Sequence, residues 1–197
     1  MQRLTRVSLV VAVFALLAAA CGGSSQSASS SHASTSSKPV NQWTAGICTD
    51  VAGWAKTLQA AGATASSAIT TTAGDITAPK RALVKVLDDS VSATDKLISQ
   101  LAANGAPDVP NGQKIQTQVL GAFRDGRQVF ADALTKAQAL STSDSTAFVD
   151  AAKHVSTSIS SGFDTVGKVF NNAGKLDTGG TIDRAGKTEP ACKALNG

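Results

Sequence analysis

Tyrosine is absent, and aromatic residues make up only 4% of this 197-residue chain. Such a chain has little with which to stack nucleobases, so no nucleic-acid partner is expected. Glutamate occurs once, at Glu189, which excludes the Glu-rich ligand set of a di-iron helical bundle. The two histidines, His32 and His154, lie far apart and cannot form an H-E-x-x-H pair. Neither a phosphate-binding Walker loop nor a G-x-S-x-G nucleophile elbow occurs. Charge of one sign is also scarce. The 18 basic and 14 acidic residues give a net charge of +4. Arg3 and Arg6 sit in a segment read below as removed, so the mature chain is close to neutral. No enzyme activity, metal or cofactor is expected from this inventory.

What is present begins with an address. Arg3 and Arg6 precede an apolar run over 7–17, and Ala18, Ala19 and Ala20 lead into Cys21. A basic start, an apolar stretch of about ten residues and a small-residue exit are the parts of a secretory signal. The run is short of the ~20 residues that a membrane-crossing helix needs. Residues 1–20 are therefore assigned to a signal peptide.

The small residues running into Cys21, followed by Gly22, Gly23, Ser24 and Ser25, resemble the lipobox of bacterial lipoproteins. The resemblance implies that Cys21 becomes the mature N-terminus and carries acyl chains. The family favours Leu three residues before the cysteine, where this chain has Ala18. Ordinary signal peptidase would also accept Ala18–Ala20 and would leave Cys21 unmodified. Cysteine arithmetic bears on the choice. The chain has three cysteines, Cys21, Cys48 and Cys192. Export leads to a compartment that permits disulfides, where an odd number leaves one thiol over. With Cys21 lipidated, Cys48 and Cys192 pair without remainder.

Residues 21–39 are expected to be a lipidated cysteine followed by a tether. Half of 22–39 is Ser, and the rest is mostly Ala, Gly and Thr. Nothing there can bury apolar surface, so disorder is expected. As a flexible coil the tether would span roughly 23 Å. His32 reads as a solvated linker residue.

Residues 40–197 are expected to form one helical domain. Apolar residues recur at steps of three and four, the helical period. Trp43, Ile47, Val51, Trp54 and Leu58 form one stripe. Leu83, Leu87, Val91, Thr94, Ile98 and Leu101 form a second. A third runs through Ile115, Val119, Phe123, Phe130, Leu134, Ala137 and Leu140. The fourth runs through Phe148, Ala152, Val155, Ile159, Phe163, Val166 and Phe170. No stretch alternates as a strand does. Asp75 or Thr77 with Pro79 marks the second helix start, and Asn104-Gly105 its end. Ser141, Thr142, Ser143 and Asp144 offer caps for a tight turn between the third and fourth helices. Segment 62–74 is read as the frayed second half of a long first helix. The predicted fold is all-α, an up-down-up-down four-helix bundle. Segment 175–187 is predicted to be a loop and 188–195 a short helix, with Cys192 stapled back to Cys48.

Several side chains invite a chemical reading, and each also has a plain one. Asp150 and His154 lie one turn apart and could share a metal or proton, but read better as a solvated pair. Asp88, Asp89 and Asp95 read as a solvated face. Arg124 and Arg127 could clamp a carboxylate or phosphate, with exposed surface the simpler reading. Trp43 and Trp54 read as core. Glycines inside helices are harder to dismiss: Gly121 and Gly126 in the third, Gly162 and Gly167 in the fourth. Each costs about 1 kcal/mol against Ala. They let helices approach closely, or form a cavity wall at Gly121, Gly126 and Gly162.

The Ala-, Asp- and Thr-rich, Glu-poor composition, the lipobox and the single later cysteine pair resemble small lipoproteins of unassigned function from high-GC Gram-positive, actinobacterial, bacteria. The resemblance is specific for the export signal and loose for the helical domain, and no functional residue carries over from it. The expected function is that of a non-enzymatic, lipid-anchored envelope lipoprotein on the extracytoplasmic face of the membrane. Its bundle would act as an outward-facing interaction module for an envelope protein or ligand. The alternative is a binder of a small apolar or lipid-like ligand in the bundle core.

Overall fold

A computed structural model describes residues 37–70 and 76–195, without the side-chain surroundings of 65–70, 158, 161–167 and 169–171. Four long helices account for most of it: α1 (Val40–Thr70), α2 (Thr77–Asn104), α3 (Gly112–Gln138) and α4 (Ser145–Gly174). Two short helices follow, α5 (Thr181–Thr188) and α6 (Pro190–Leu195). Helix α1 continues through 62–70, in line with reading 62–74 as the second half of a long first helix, and 71–74 lie outside the described residues. Successive long helices pack on one another, while α5 and α6 both lie against α1.

The helical stripes meet in two apolar clusters. The first gathers Trp43, Leu97, Leu101, Ile115, Val119, Phe123 and Ala173. The second gathers Leu87, Phe130, Ala133, Ala137 and Val155. Trp54 touches both, and its ring meets Phe123 edge-on at 5.6 Å. Such a pair contributes about 0.5–1.5 kcal/mol beyond its buried area. The buried Thr94 looks out of place in a stripe of Leu and Val. Its hydroxyl donates to Ser90 O and accepts from Trp54 Nε1, so no buried polar group is orphaned there.

Two expectations are corrected. Ser37 and Lys38, assigned above to the tether, form a short parallel strand pair, β1 (Ser37–Lys38) with β2 (Ala106–Pro107). Residues before Val40 therefore belong to the folded domain. Segment 175–187 is also not all loop, because α5 occupies its second half. The backbone turns at Gly180, with φ of 58°. The Asp177 carboxylate then accepts from the amides of Thr181 and Ile182 and satisfies the new helix start. Ile182 and Ala185, three apart, give α5 its apolar side.

Other boundaries follow the sequence signals. Helix α2 ends at Asn104, with Gly105 at φ 73° beyond it. It starts at Thr77 with Pro79 in its first turn, one of the two starts expected, and Ile76 at the cap position supplies no side-chain bond. Asp75 lies outside the described residues. At the α3–α4 turn, Asp144 Oδ1 accepts from the amides of Thr146 and Ala147, at 2.8 and 3.1 Å.

Candidate functional site

One end of the domain is a polar lattice around Trp43. The indole Nε1 donates to Gly105 O at 2.8 Å and to Gln116 Oε1 at 3.2 Å. Gln116 Nε2 donates to Leu101 O at 2.6 Å. Asn104 Nδ2 donates to Trp43 O at 2.9 Å, and Lys38 Nζ donates to Asn104 Oδ1. β1, α1, α2 and α3 are thereby tied at one place. Asn104 and Gln116 are both buried, and satisfied buried amides specify one arrangement of the elements around them. A Cβ on Gly46 would come within 2.7 Å of the Asn104 amide, so glycine is what admits that side chain.

Beside the lattice, Cys48 and Cys192 are joined, with a Cα–Cα distance of 4.9 Å. The bridge fastens α6 to α1. Asn111 Nδ2 donates to Leu176 O, so the segment after α4 reaches the same end. Asp50, on α1, has its carboxyl pushed above the ordinary range by burial, partly offset by the charge of Lys38.

The opposite end is more open. A groove of about 750 Å3 lies beside the start of α2. Lys80, Arg81, Lys85 and Asp88 line it from α2, with Gln138 and Thr142 across from them. Lys80 Nζ donates to Leu140 O at 2.7 Å, tying α2 to the end of α3. Lys85 pairs with Asp89, one turn along α2, at 2.9 Å. Arg81 is exposed. Sequence reading passed over these three cations. Their signal is present, however: basic residues in the first turns of a helix oppose the helix dipole, which favours acidic ones there.

The residues singled out from sequence do not converge. Asp150 pairs with Lys153 at 2.9 Å, and both it and His154 are exposed. The hydrogen bond from Lys153, then its charge, holds the Asp150 carboxyl below the ordinary range. Arg127 forms a two-point bond with Asp95 on α2, at 3.1 and 3.2 Å, which raises its pKa further. Arg124 is exposed and does not join it in a clamp. Asp89 serves Lys85, and Asp88 lies on the groove. Trp43 is buried and Trp54 half-buried, both in the apolar clusters. A Cβ on Gly121 would meet nothing within 4 Å, while Gly126 is buried. The surroundings of Gly162 and Gly167, and Cys21 itself, lie outside the described residues.

Among the described residues no group of three or more His, Cys, Asp and Glu side chains is placed to hold a metal ion. Among them, too, no helix is long and apolar enough to cross a membrane. No protein family, curated protein or solved structure matches the chain.

Proposed function

We propose that this protein is a non-enzymatic lipoprotein of the cell envelope, held to the extracytoplasmic face of the membrane by acyl chains on Cys21. Its helices serve as an interaction module. One observation carries the reading: Cys48 and Cys192 are bonded to each other. Of three cysteines this leaves Cys21, the one that follows a basic start, an apolar run and three alanines. A bridge of this kind fits an oxidising compartment, the destination such a leader implies.

In this reading the four long helices run up-down-up-down. The bonds from Trp43 to Gly105 and Gln116, and from Asn111 to Leu176, support it by gathering alternate helix ends. The bond from Lys80 to Leu140 supports it at the far end. The described residues start at the stapled end, so in this reading the tether leaves there. The groove end lies roughly 35 Å away along α2.

The test is the intact mass of the protein extracted from its own membranes. The expected species starts at Cys21, carries acyl chains and lacks the two hydrogens lost to the bridge. A mature N-terminus without acyl chains would overturn the lipoprotein assignment.

A further inference from the structure

We propose that α5 and α6 form a strap that the Cys48–Cys192 bridge locks onto α1, and that a dithiol reductant opens the strap while the four long helices stay folded.

Three features point there. The first is a thin footing. The two short helices pack chiefly on α1. Ile182 and Ala185 turn inward from α5 and Cys192 from α6, while Arg184, Lys187 and Lys193 are exposed. So small an apolar contact offsets little of the entropy lost in ordering two helices this short. The sulfur bond is what holds them. The second feature is the independence of the rest. The bonds around Trp43 join β1, α1, α2 and α3. The second apolar cluster takes its buried residues from α2, α3 and α4. Neither draws on α5 or α6.

The third feature is a buried polar group under the strap. Thr44 lies one turn before Cys48 on α1, and its carbonyl oxygen is 4.0 Å from Cys192 Sγ, so α6 closes over it. Thr44 is only 4% exposed, and its hydroxyl has no hydrogen-bond partner among the described residues. A buried hydroxyl without a partner disfavours the closed state, and lifting α6 lets water reach it. The bridge thus holds shut a contact that carries its own bias toward opening.

The opening step is thiol–disulfide exchange. Cys48 is half-buried, so the bridge lies at the edge of the contact. A thiolate of the dithiol attacks Cys48 Sγ, the Sγ–Sγ bond breaks and Cys192 leaves as a thiolate. The second thiol of the reductant then displaces Cys48 from the mixed disulfide. The bridge gains two electrons, and the dithiol loses them and ends as a disulfide. Its two protons pass to the cysteines. The strap goes beyond the lipoprotein reading and does not depend on it, since acylation of Cys21 is measured separately.

The test treats the full protein, in detergent and without denaturant, with dithiothreitol. Thiol alkylation and hydrogen exchange are then followed by mass spectrometry. Cys48 and Cys192 should both become alkylated. Exchange in α5 and α6 should speed up by about tenfold or more, and exchange in α2 and α3 should change less than about twofold. Alkylation that requires denaturant overturns the proposal. Equal acceleration in α2 and α3 does so too, because the bridge would then hold the whole fold. Unchanged exchange in α5 and α6 after reduction also overturns it, since the helices would stay docked without the bridge. The variant Thr44→Val keeps the shape and removes the hydroxyl. Its reduced form should exchange about fivefold more slowly in α5 and α6 than the reduced parent, the scale of one unmet buried hydroxyl. Equal or faster exchange in that variant would overturn the bias assigned to Thr44.

Discussion

The two ends of this helical domain are built on opposite plans. At one end, Lys38, Trp43, Asn104 and Gln116 exchange hydrogen bonds across four elements, and a disulfide fastens α6 to α1. At the other, the start of α2 meets the α3–α4 turn through the bond from Lys80 to Leu140, and a groove opens beside it. Buried amides and a covalent staple make a junction that has one arrangement. Charged side chains around open space make a surface that can accept something. The difference is one of construction: one end is a bonded junction that holds the fold together, and the other is more open.

Removing the staple tests this most strongly. The bridge closes a loop with a sequence separation of 144 residues, for which chain entropy predicts about 5 kcal/mol. The variant Cys48→Ser with Cys192→Ser should lose most of that in a denaturant titration. Hydrogen exchange should accelerate first in α5 and α6. Equal acceleration around the groove would erase the contrast between the ends.

A smaller loss is expected from Gly112→Ala. A Cβ there would stand 2.0 Å from Pro107 O, and backbone must move to admit it. A cost of about 1–3 kcal/mol is expected, read from the denaturation midpoint. At the groove end, Asp144→Ala removes the cap of α4 and should cost about 1 kcal/mol. The amides of Thr146 and Ala147 should exchange faster in that variant.

Gly121→Ala should act in the other direction. The site is helical and its Cβ would meet nothing, so a gain of about 0.5–1 kcal/mol is expected. A loss would mean that a neighbour needs the space. The smallest effect is expected from Asp50→Asn. Burial raises the Asp50 pKa, so the folded protein holds that proton more tightly than the unfolded chain does. Ionisation therefore costs stability as pH rises through the folded pKa. The variant should be slightly more stable at neutral pH, and its advantage should vanish as pH falls to the ordinary value of 3.8.

Much of the helical layout was legible because a period of three to four residues is a strong signal over thirty positions. Leu87, Ile115, Val119, Phe123 and Phe130 all lie in the stripes traced from sequence, and all are buried. Leu97 was passed over for its neighbours Thr94 and Ile98, although it is among the most buried side chains. A two-residue strand has no alternation to detect, so Ser37 and Lys38 read as tether. Helix α5 was hidden by the glycines before it, because the Asp177 cap bridges that loop and matches no simple spacing. The groove was less legible still. Its cations are visible at the start of α2, but their meeting with Gln138 and Thr142 is a property of how α2 and α3 pack.

In the proposed extracytoplasmic location, the bridge has a consequence for how proteases act on the chain. Cys48 and Cys192 enclose nearly the whole domain, including the α1–α2 connection and the turn at Ser141–Asp144. A single cut in either place yields two polypeptides but still one covalent molecule, because sulfur joins the N-terminal piece to the C-terminal one. Nicking alone sheds no fragment, and parting the pieces takes reduction as well as cleavage.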